Sequence, residues 1–258
     1  MTSDRFNIKG KIAFVTGGSR GIGLMIARGF VEAGARVYIC ARDEQRCDAA
    51  AATLNQLGEC ISLPGDLSKS EEVSRISAAF TNKESKLHVL VNNAGTGWGE
   101  RIDTFPEKGW DKVTDLNLKS SFFLLQKMLP NLDAAATKAD PARVIHLGSV
   151  DGVHTPLYES YSYAASKAAI HHLTRMLAAR LAGRKINVTA LVPGYFDTDM
   201  TQPLIDAYGL DTLMSIVPLD RMGNDADIAG VAVFLASRAS AYMTGITLPV
   251  DGGLIAGT

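Results

Sequence analysis

Thr16–Gly23 reads TGGSRGIG, set within Lys11–Phe30, KIAFVTGGSRGIGLMIARGF. The apolar run Ile12–Thr16 enters it, and Ile22, Ile26, Phe30 and Ala33 follow at helical spacing, with Gly34 where a C-terminal glycine cap belongs. The stretch is a strand, a glycine-rich turn and a helix, and two chemistries compete for it. Gly17-Gly18-Ser19-Arg20-Gly21 satisfies G-x-S-x-G, the elbow that would make Ser19 a hydrolase nucleophile. A glycine turn opening a helix also presents unpaired backbone amides where a phosphate can sit. The Walker pattern is absent, and Gly17-x-x-x-Gly21-x-Gly23 departs from the strict G-x-G-x-x-G dinucleotide fingerprint. It keeps that motif's physical means. Gly17 can end the strand in a conformation that β-carbons disfavour, and Gly21 and Gly23 open the helix without side chains. On this reading Ser19 bonds a phosphate or ribose and Arg20 is a cation beside the nucleotide. The elbow needs an acid and then a histidine later in the chain; histidines stand at 88, 146, 154, 171 and 172, and none beyond.

Outward from this junction, short apolar runs recur at Val37–Cys40, Cys60–Leu63, Leu87–Val91, Val144–Leu147, Asn187–Val192 and Thr247–Val250, separated by helix-like segments. The runs are continuous rather than alternating, which predicts strands buried on both faces of a parallel sheet. Strand–helix alternation then predicts right-handed βαβ units and a doubly wound, Rossmann-type α/β fold of about seven strands with helices on both faces. Ser68-Lys69-Ser70-Glu71 reads as a capping box. No repeat or linker divides the 258 residues, Asp133–Pro141 reads as an exposed loop, and one domain over 1–258 is expected. With 47% hydrophobic and 21% charged residues and a net charge of −1, nothing marks a nucleic-acid partner. Three cysteines without a CxxC pair, no signal-peptide-like start and no apolar run of the roughly 18–20 residues that span a bilayer predict a cytoplasmic protein off the membrane. No metal-ligand cluster is read.

In a doubly wound sheet ligands bind beyond the carboxyl ends of the strands. The segments there read TGGSRGIG, ARD, GDL, NNAG, GSVDG, PGYFDTDM and DGG, all carrying glycine, small polar residues or charge. Tyr163 and Lys167 stand four apart, on one face of a helix. A nearby ammonium favours phenolate, so Lys167 is expected to lower the pKa of a tyrosine that moves a proton. Tyr158 and Tyr161 have no lysine at that spacing.

TGGSRGIG, Asp66-Leu67, Asn92–Gly95 (NNAG), Asn117, Ser149, Tyr163-Ala-Ala-Ser-Lys167, Pro193–Met200 (PGYFDTDM) and the terminal GITLPVDGG occur in an order and spacing that resembles the short-chain dehydrogenase/reductase family, in its compact 3-oxoacyl-carrier-protein-reductase-like branch. Within the branch, GSRGIG, ICARD, NNAGTGWG and AYMTG look most like the bacterial rhamnolipid-pathway 3-oxoacyl reductases. The resemblance implies an oxidoreductase moving hydride between a nicotinamide and a carbonyl or alcohol substrate, such as a 3-oxoacyl thioester or similar hydrophobic ketone. It assigns Tyr163 as acid in reduction and base in oxidation. Lys167 binds the ribose, Ser149 holds the carbonyl oxygen, and Asn117 relays protons through a water. It places Gly17, Ser19, Arg20, Gly21, Ile22 and Gly23 on the pyrophosphate side. Asp66 and Leu67 fall at the adenine, Asn93, Ala94 and Gly95 between ribose and nicotinamide, and Pro193, Gly194, Phe196 and Thr198 at the carboxamide.

The position that carries an acid in NAD-using relatives is Ala41 here, followed by Arg42; with Arg20 it suits a 2′-phosphate, so NADP(H) is preferred over NAD(H). Asp43 reads as a helix-starting acid. Asp199–Leu219, rich in Met, Leu and Ile, reads as an apolar lid over a hydrophobic substrate. Trp98 is expected either to wall the pocket or to pack. Arg184 aligns with a basic residue that meets a carrier protein in the branch, which brings in a carrier-bound acyl thioester as a candidate substrate. The family also implies a homotetramer or homodimer through the helices holding Asn117 and Tyr163 and the last strand, using an apolar face at Phe122, Phe123 and Leu125. Two rivals stand beside this reading: a serine hydrolase using Ser19, and a non-catalytic nucleotide-binding sensor on the same fold.

Overall fold

The computed structural model describes residues 3–257. Seven parallel strands form one sheet in the order β3-β2-β1-β4-β5-β6-β7: β1 Ile12–Thr16, β2 Arg36–Cys40, β3 Cys60–Ser62, β4 Val89–Asn92, β5 Ala142–Leu147, β6 Ile186–Pro193 and β7 Thr247–Val250. The order reverses between β1 and β4, which pair directly (Phe14 opposite Leu90), and the chain's glycine turn leaves the sheet at that switch point.

Alternate residues of each strand feed opposite faces. Ala13 and Val15 of β1 pack with Ile26 and Phe30 of α1 (Gly21–Glu32), Cys47 and Ala51 of α2 (Glu44–Leu54), and Ile228 and Leu235 of α9 (Asp225–Ala236). Phe14, between them, turns to the other face. There it meets α3 (Ser70–Thr81) through Ile76 and Phe80, α5 (Ser120–Ala135) through Leu124 and Met128, and α6 (Tyr161–Leu181) through Ala178 and Leu181. Both faces of the sheet are buried, which accounts for the unbroken apolar runs. The helices α1 and α9 come close because Gly29 meets Ala229, where a β-carbon would lie only 2.6 Å away.

Local signals mostly play out as their chemistry dictates. Gly34 ends α1 with a φ of +81°, in the left-handed region. Asp43 caps α2, its side chain accepting from the Arg46 amide at 3.0 Å. The expected capping box at Ser68–Glu71 does not form. Lys69 is the N-cap of α3 and gives no side-chain cap, while the Ser68 hydroxyl donates at 2.7 Å to Asp66. A nearby acceptor in the preceding turn wins the serine. Before α5, α4 (Glu107–Thr114) passes into a π-helical turn at Asp115–Lys119, which carries Asn117. Two short helices, α7 (Gln202–Tyr208) and α8 (Leu210–Met214), cross beyond β6. No helix among the described residues is long and apolar enough to cross a membrane.

His146 of β5 and His171 of α6 are buried, and each has an Nε2 without a hydrogen-bond partner among the described residues. Burial drives both down to about 4, with the Lys167 charge acting the same way. The folded pKa lies below the ordinary value of 6.5, so the unfolded chain takes up these protons first. Stability is then lost as the pH falls from about 6.5 to about 4, at up to about 1.4 kcal/mol per pH unit for each ring. Urea midpoints measured between about pH 7 and about pH 5 should fall, and His146→Gln should flatten the slope; an unchanged slope in that variant would remove His146 from the account.

Candidate active site

The glycine turn is shaped by contacts that leave no room for side chains. Gly17 has a φ of +66° and Gly21 of +51°. A β-carbon on Gly23 would lie 2.2 Å from the Gly17 carbonyl oxygen and 2.3 Å from Asn93 Nδ2. Thr16, the last residue of β1, locks the turn to the neighbouring strand end: its hydroxyl accepts from the amides of Asn93 (2.9 Å) and Ala94 (2.8 Å). Asn93 returns the bond, its Nδ2 donating to Thr16 O at 2.8 Å and Gly17 O at 3.3 Å. Asn93 was expected against the cofactor, yet its side chain is spent on bracing this loop, and the brace through Thr16 had no signature in the sequence. Arg20, the N-cap of α1, makes no side-chain cap, so the helix opens with backbone amides that no side chain covers. The tight glycines, the uncapped N-terminus and the approach of Thr198 Cγ2 toward Gly21 form a narrow cradle of the kind a pyrophosphate fills.

Two guanidinium groups meet beside it at Asp199, and a third, Arg42, follows the end of β2. Arg20 Nη1 lies 2.8 Å from Asp199 Oδ2, Arg46 Nη1 lies 4.0 Å from the same oxygen, and Arg42 is exposed and enters no ion pair among the described residues. Arg46, in the first turn of α2, was not named from the sequence; Arg42 precedes the Asp43 cap, so no helical spacing links the two, and only the fold brings Arg46 to Asp199. A 2′-phosphate suits such a cluster, and the residues present fit NADP(H) better than an acid-bearing NAD site. Asp66 Oδ1 is taken up by Ser68, and Leu67 is buried in the core beside it.

At the carboxyl end of β5, Ser149 caps a short 3-10 turn, Val150–Gly152, its Oγ accepting from the Asp151 amide at 3.2 Å. Tyr163 and Lys167 project from α6 onto this end of the sheet. Lys167 is buried, donates from Nζ to Leu147 O at 2.7 Å, and lies 5.5 Å from the centroid of the Tyr163 ring. Burial lowers its ammonium to about 8, and Asp151 opposes that shift. The expected lowering of Tyr163 by Lys167 does not emerge. Burial and the Asp151 charge raise the phenol above its ordinary range, and the Ser149 hydroxyl pulls it back. The lysine's nitrogen is turned to a carbonyl and the ring face rather than to the phenol oxygen. Asn117 is buried with its amide committed: Oδ1 accepts from Thr96 N at 2.9 Å, and Nδ2 donates to Thr96 O at 3.0 Å and Ser166 Oγ at 3.1 Å. It ties Gly95-Thr96 to α6 as a structural strut.

After β6, Pro193 ends the strand and the Gly194 amide donates to Val250 O at 3.0 Å. Thr198 shares a bond with Thr201 at 3.2 Å. Phe196, expected at the cofactor, instead buries its ring against Gly223, so only its backbone is left for a ligand. Ile22 packs toward the core from α1. In the segment 199–219, Leu204, Ile205, Leu213, Met214 and Val217 pack with Tyr195, Leu254 and Val150, the residue that follows Ser149. Trp98 packs on Gly109 with Lys108 and Lys112 over its ring. Arg184 pairs with Asp133 and so is already partnered on this surface. Of Phe122, Phe123 and Leu125, Leu125 belongs to the core, Phe123 is exposed and Phe122 is half-buried.

The hydrolase reading of Ser19 has no histidine to serve it. The ring nitrogen of His88 accepts from Ile12 at the far end of β1, His146 is buried within β5 and His171 on α6, His154 faces Asp151, and His172 is exposed on α6.

The family model described as enoyl-(acyl carrier protein) reductase matches residues 17–255. The rhamnolipids biosynthesis 3-oxoacyl-[acyl-carrier-protein] reductase of Pseudomonas aeruginosa is 45% identical over 249 residues, 96% of this chain and 97% of that protein. The solved structure described as the Pseudomonas aeruginosa RhlG/NADP active-site complex superposes with a TM-score of 0.94 at 44% identity, covering 98% of this chain and 99% of that one. A short-chain dehydrogenase/reductase of Diaporthe leptostromiformis, PhomF, is 30% identical across 100% of this chain and 96% of its own. With a parallel seven-stranded sheet, a glycine cradle at its switch point and this range of full-length relatives, the chain belongs to the short-chain dehydrogenase/reductase family of oxidoreductases.

Proposed function

We propose that the protein is an NADPH-dependent reductase of 3-oxoacyl thioesters or similarly hydrophobic ketones, with Ser149, Tyr163 and Lys167 as its working groups. The observation that carries the reading is their convergence. Ser149 at the end of β5 acts on the Tyr163 phenol, and the buried Lys167 stands one helical turn further along α6. When bound in the glycine cradle, the dinucleotide supplies hydride to the carbonyl carbon. As the carbonyl oxygen gains charge, Ser149 Oγ donates a hydrogen bond to it and Tyr163 Oη transfers its proton, completing the alcohol. A phenol held above its ordinary pKa is protonated at neutral pH and suits an acid. An ammonium near 8 gives up and regains a proton at little cost, so Lys167 restores the phenol. Asn117 keeps this face of α6 in register, and with its amide spent on Thr96 and Ser166 a relay water would be held through the backbone of its π-turn.

Arg20, Arg42 and Arg46 favour NADP(H), Gly17, Ser19 and Gly21–Gly23 hold the pyrophosphate, and Asp66, Gly95, Pro193, Gly194 and Thr198 flank the remainder. Arg42→Asp is expected to move the ratio of NADPH to NADH affinity by at least about tenfold toward NADH, roughly the value of one charge-assisted phosphate contact. Fluorescence titration with each dinucleotide measures it, and an unchanged ratio removes Arg42 from the site. The chain acts as one domain with 199–219 as a lid, supported by the apolar packing of that segment on Val150 and Tyr195. Buried, unpaired thiols at Cys40, Cys47 and Cys60 support a cytoplasmic setting. The exposed Phe123 supports self-association as a dimer or tetramer, which light scattering reads.

The test of the reaction is a panel of 3-oxoacyl thioesters on carrier protein and on coenzyme A, beside simple ketones, assayed by nicotinamide absorbance with 3-hydroxyacyl product identified. Turnover confined to polyols, or none with any ketone, overturns the substrate reading.

A further inference from the structure

The turn that carries Ser149 rests on a side chain that the mechanism above does not use. His171 stands one helical turn beyond Lys167, on the same buried face of α6, and is 5% exposed. Its ring reaches the glycines on either side of the Ser149 turn. A β-carbon on Gly148 would lie 2.2 Å from His171 Nε2 and 2.8 Å from its Cδ2, and one on Gly152 would lie 2.8 Å from its Cε1. Neither glycine has a φ in the left-handed region, so the backbone does not demand glycine at either position. What each missing side chain leaves is room. At Gly148 the room goes to the ring; at Gly152 it is shared with the α6 main chain, where Lys167 C and Ala168 N lie 2.7 and 2.8 Å from the same point. His171 Nε2 is buried without a hydrogen-bond partner among the described residues, so toward Gly148 the ring supplies volume and not a bond.

We propose that His171 is a positioning residue for Ser149: its ring, seated against Gly148 and Gly152, sets how far the Ser149 hydroxyl stands from Tyr163 and Lys167. This rests on the reading of Ser149 as the donor to the carbonyl oxygen. The reason is mechanical. The Gly148 amide donates to Leu191 O at 2.8 Å, which ties the turn to β6, and the Gly152 amide donates to Ser149 O at 3.0 Å, which closes it. These bonds fix the shape of the turn and its link to the sheet; they leave its height over α6 to packing. His171 supplies that packing from the helix that holds Tyr163 and Lys167, so one rigid element fixes all three groups. A close-packed interior passes such a contact on with little slack. Slack matters here, because a donor to a developing oxyanion works when it stands about 2.7–3.1 Å from that oxygen.

Gly148→Ala puts a carbon where the ring lies and is expected to lower kcat roughly 10–100-fold, the cost of a shift on the order of 1 Å at a reacting centre. His171→Ala leaves the turn without its support and should lower kcat by about tenfold. In both, NADPH affinity by fluorescence titration should stay within a few-fold of the wild type. The double variant is the sharper reading. With the ring gone, the nearest atom left to the added carbon is Val192 Cγ2 at 3.1 Å, the tip of a side chain, so the double variant should be no slower than His171→Ala alone. Gly152→Ala is the control: its carbon strikes the α6 main chain, and removing His171 should not relieve it. In a Ser149→Ala background, His171→Ala should cost nothing further in single-turnover rate, because the group it positions is absent. His171→Asn, which ends short of Gly148, carries the test if His171→Ala does not fold. If Ser149→Ala retains full turnover, the reading of Ser149 itself fails. If Ser149→Ala is slow and the His171 variants cost the same in both backgrounds, the ring only fills the core and the proposal is overturned. A wild-type kcat in the His171 variants, or a raised KM alone, overturns it equally.

Discussion

Tyr163→Phe is expected to lower kcat for carbonyl reduction by roughly 10²–10⁴-fold, the usual worth of a positioned general acid. The affinity for NADPH should stay within a few-fold of the wild type. The substitution removes one hydroxyl from a half-buried ring and leaves the ring under Lys167 Nζ at 5.5 Å, so the fold and the lysine have no reason to move. The oxygen lost is the one whose pKa is set by burial, Asp151 and Ser149, and no neighbour replaces it. Tyr158, the nearest rival phenol, donates its hydrogen bond to Asp151 and is held far from ionisation by burial and that charge. Single-turnover kinetics at saturating NADPH, with dinucleotide binding measured separately, separates loss of chemistry from loss of binding. Retained turnover would move the acid elsewhere.

Gly23→Ala is expected to abolish measurable dinucleotide binding and to destabilise the fold by about 1–3 kcal/mol, the range for overpacking a closed site. The added carbon would stand 2.2 Å from the Gly17 carbonyl oxygen and 2.3 Å from Asn93 Nδ2, distances no relaxation of a flexible side chain can open, because one partner is backbone. To make room, the turn must pull away from Asn93 and lose the brace through Thr16. Gly230→Ala is the control of opposite sign. It lies in α9 with nothing within 4 Å of an added β-carbon, and alanine there should stabilise by about 0.5–1 kcal/mol through helix propensity. Thermal melts and dinucleotide titration of both variants decide the matter. A Gly23→Ala protein that binds NADPH normally would dissociate the cofactor from this loop.

Much of this architecture is legible along the chain because it rests on local pattern. Unbroken apolar runs marked the strands, and Gly34 and Asp43 marked helix ends through one residue's backbone or one short side-chain bond. What could not be read was anything decided across the sequence. Ser68 had two bonding choices, and the one taken depended on where Asp66 came to lie. Asn93 and Thr16 are separated by 77 positions and brace each other only once β1 and β4 pair. Phe196 carries a residue type that suits a ligand wall, but the absence of a side chain at Gly223 draws its ring inward. The pairing of Tyr163 with Lys167 was visible as spacing. Its electrostatic consequence was not, since burial and Asp151 come from the folded surroundings.

The central claim is that hydride leaves NADPH for a carbonyl at the Ser149–Tyr163–Lys167 end of the sheet, and that Ser19 serves the dinucleotide. The most direct test incubates purified protein with NADPH and a 3-oxoacyl thioester and follows NADPH loss and product together, for the wild type, Ser19→Ala and Tyr163→Phe. The expected result is one 3-hydroxyacyl thioester formed per NADPH consumed, a weakened NADPH affinity but active chemistry in Ser19→Ala, and product formation slowed by roughly 10²–10⁴-fold with Tyr163→Phe. Thioester hydrolysis without NADPH loss, abolished by Ser19→Ala and untouched by Tyr163→Phe, would contradict the account.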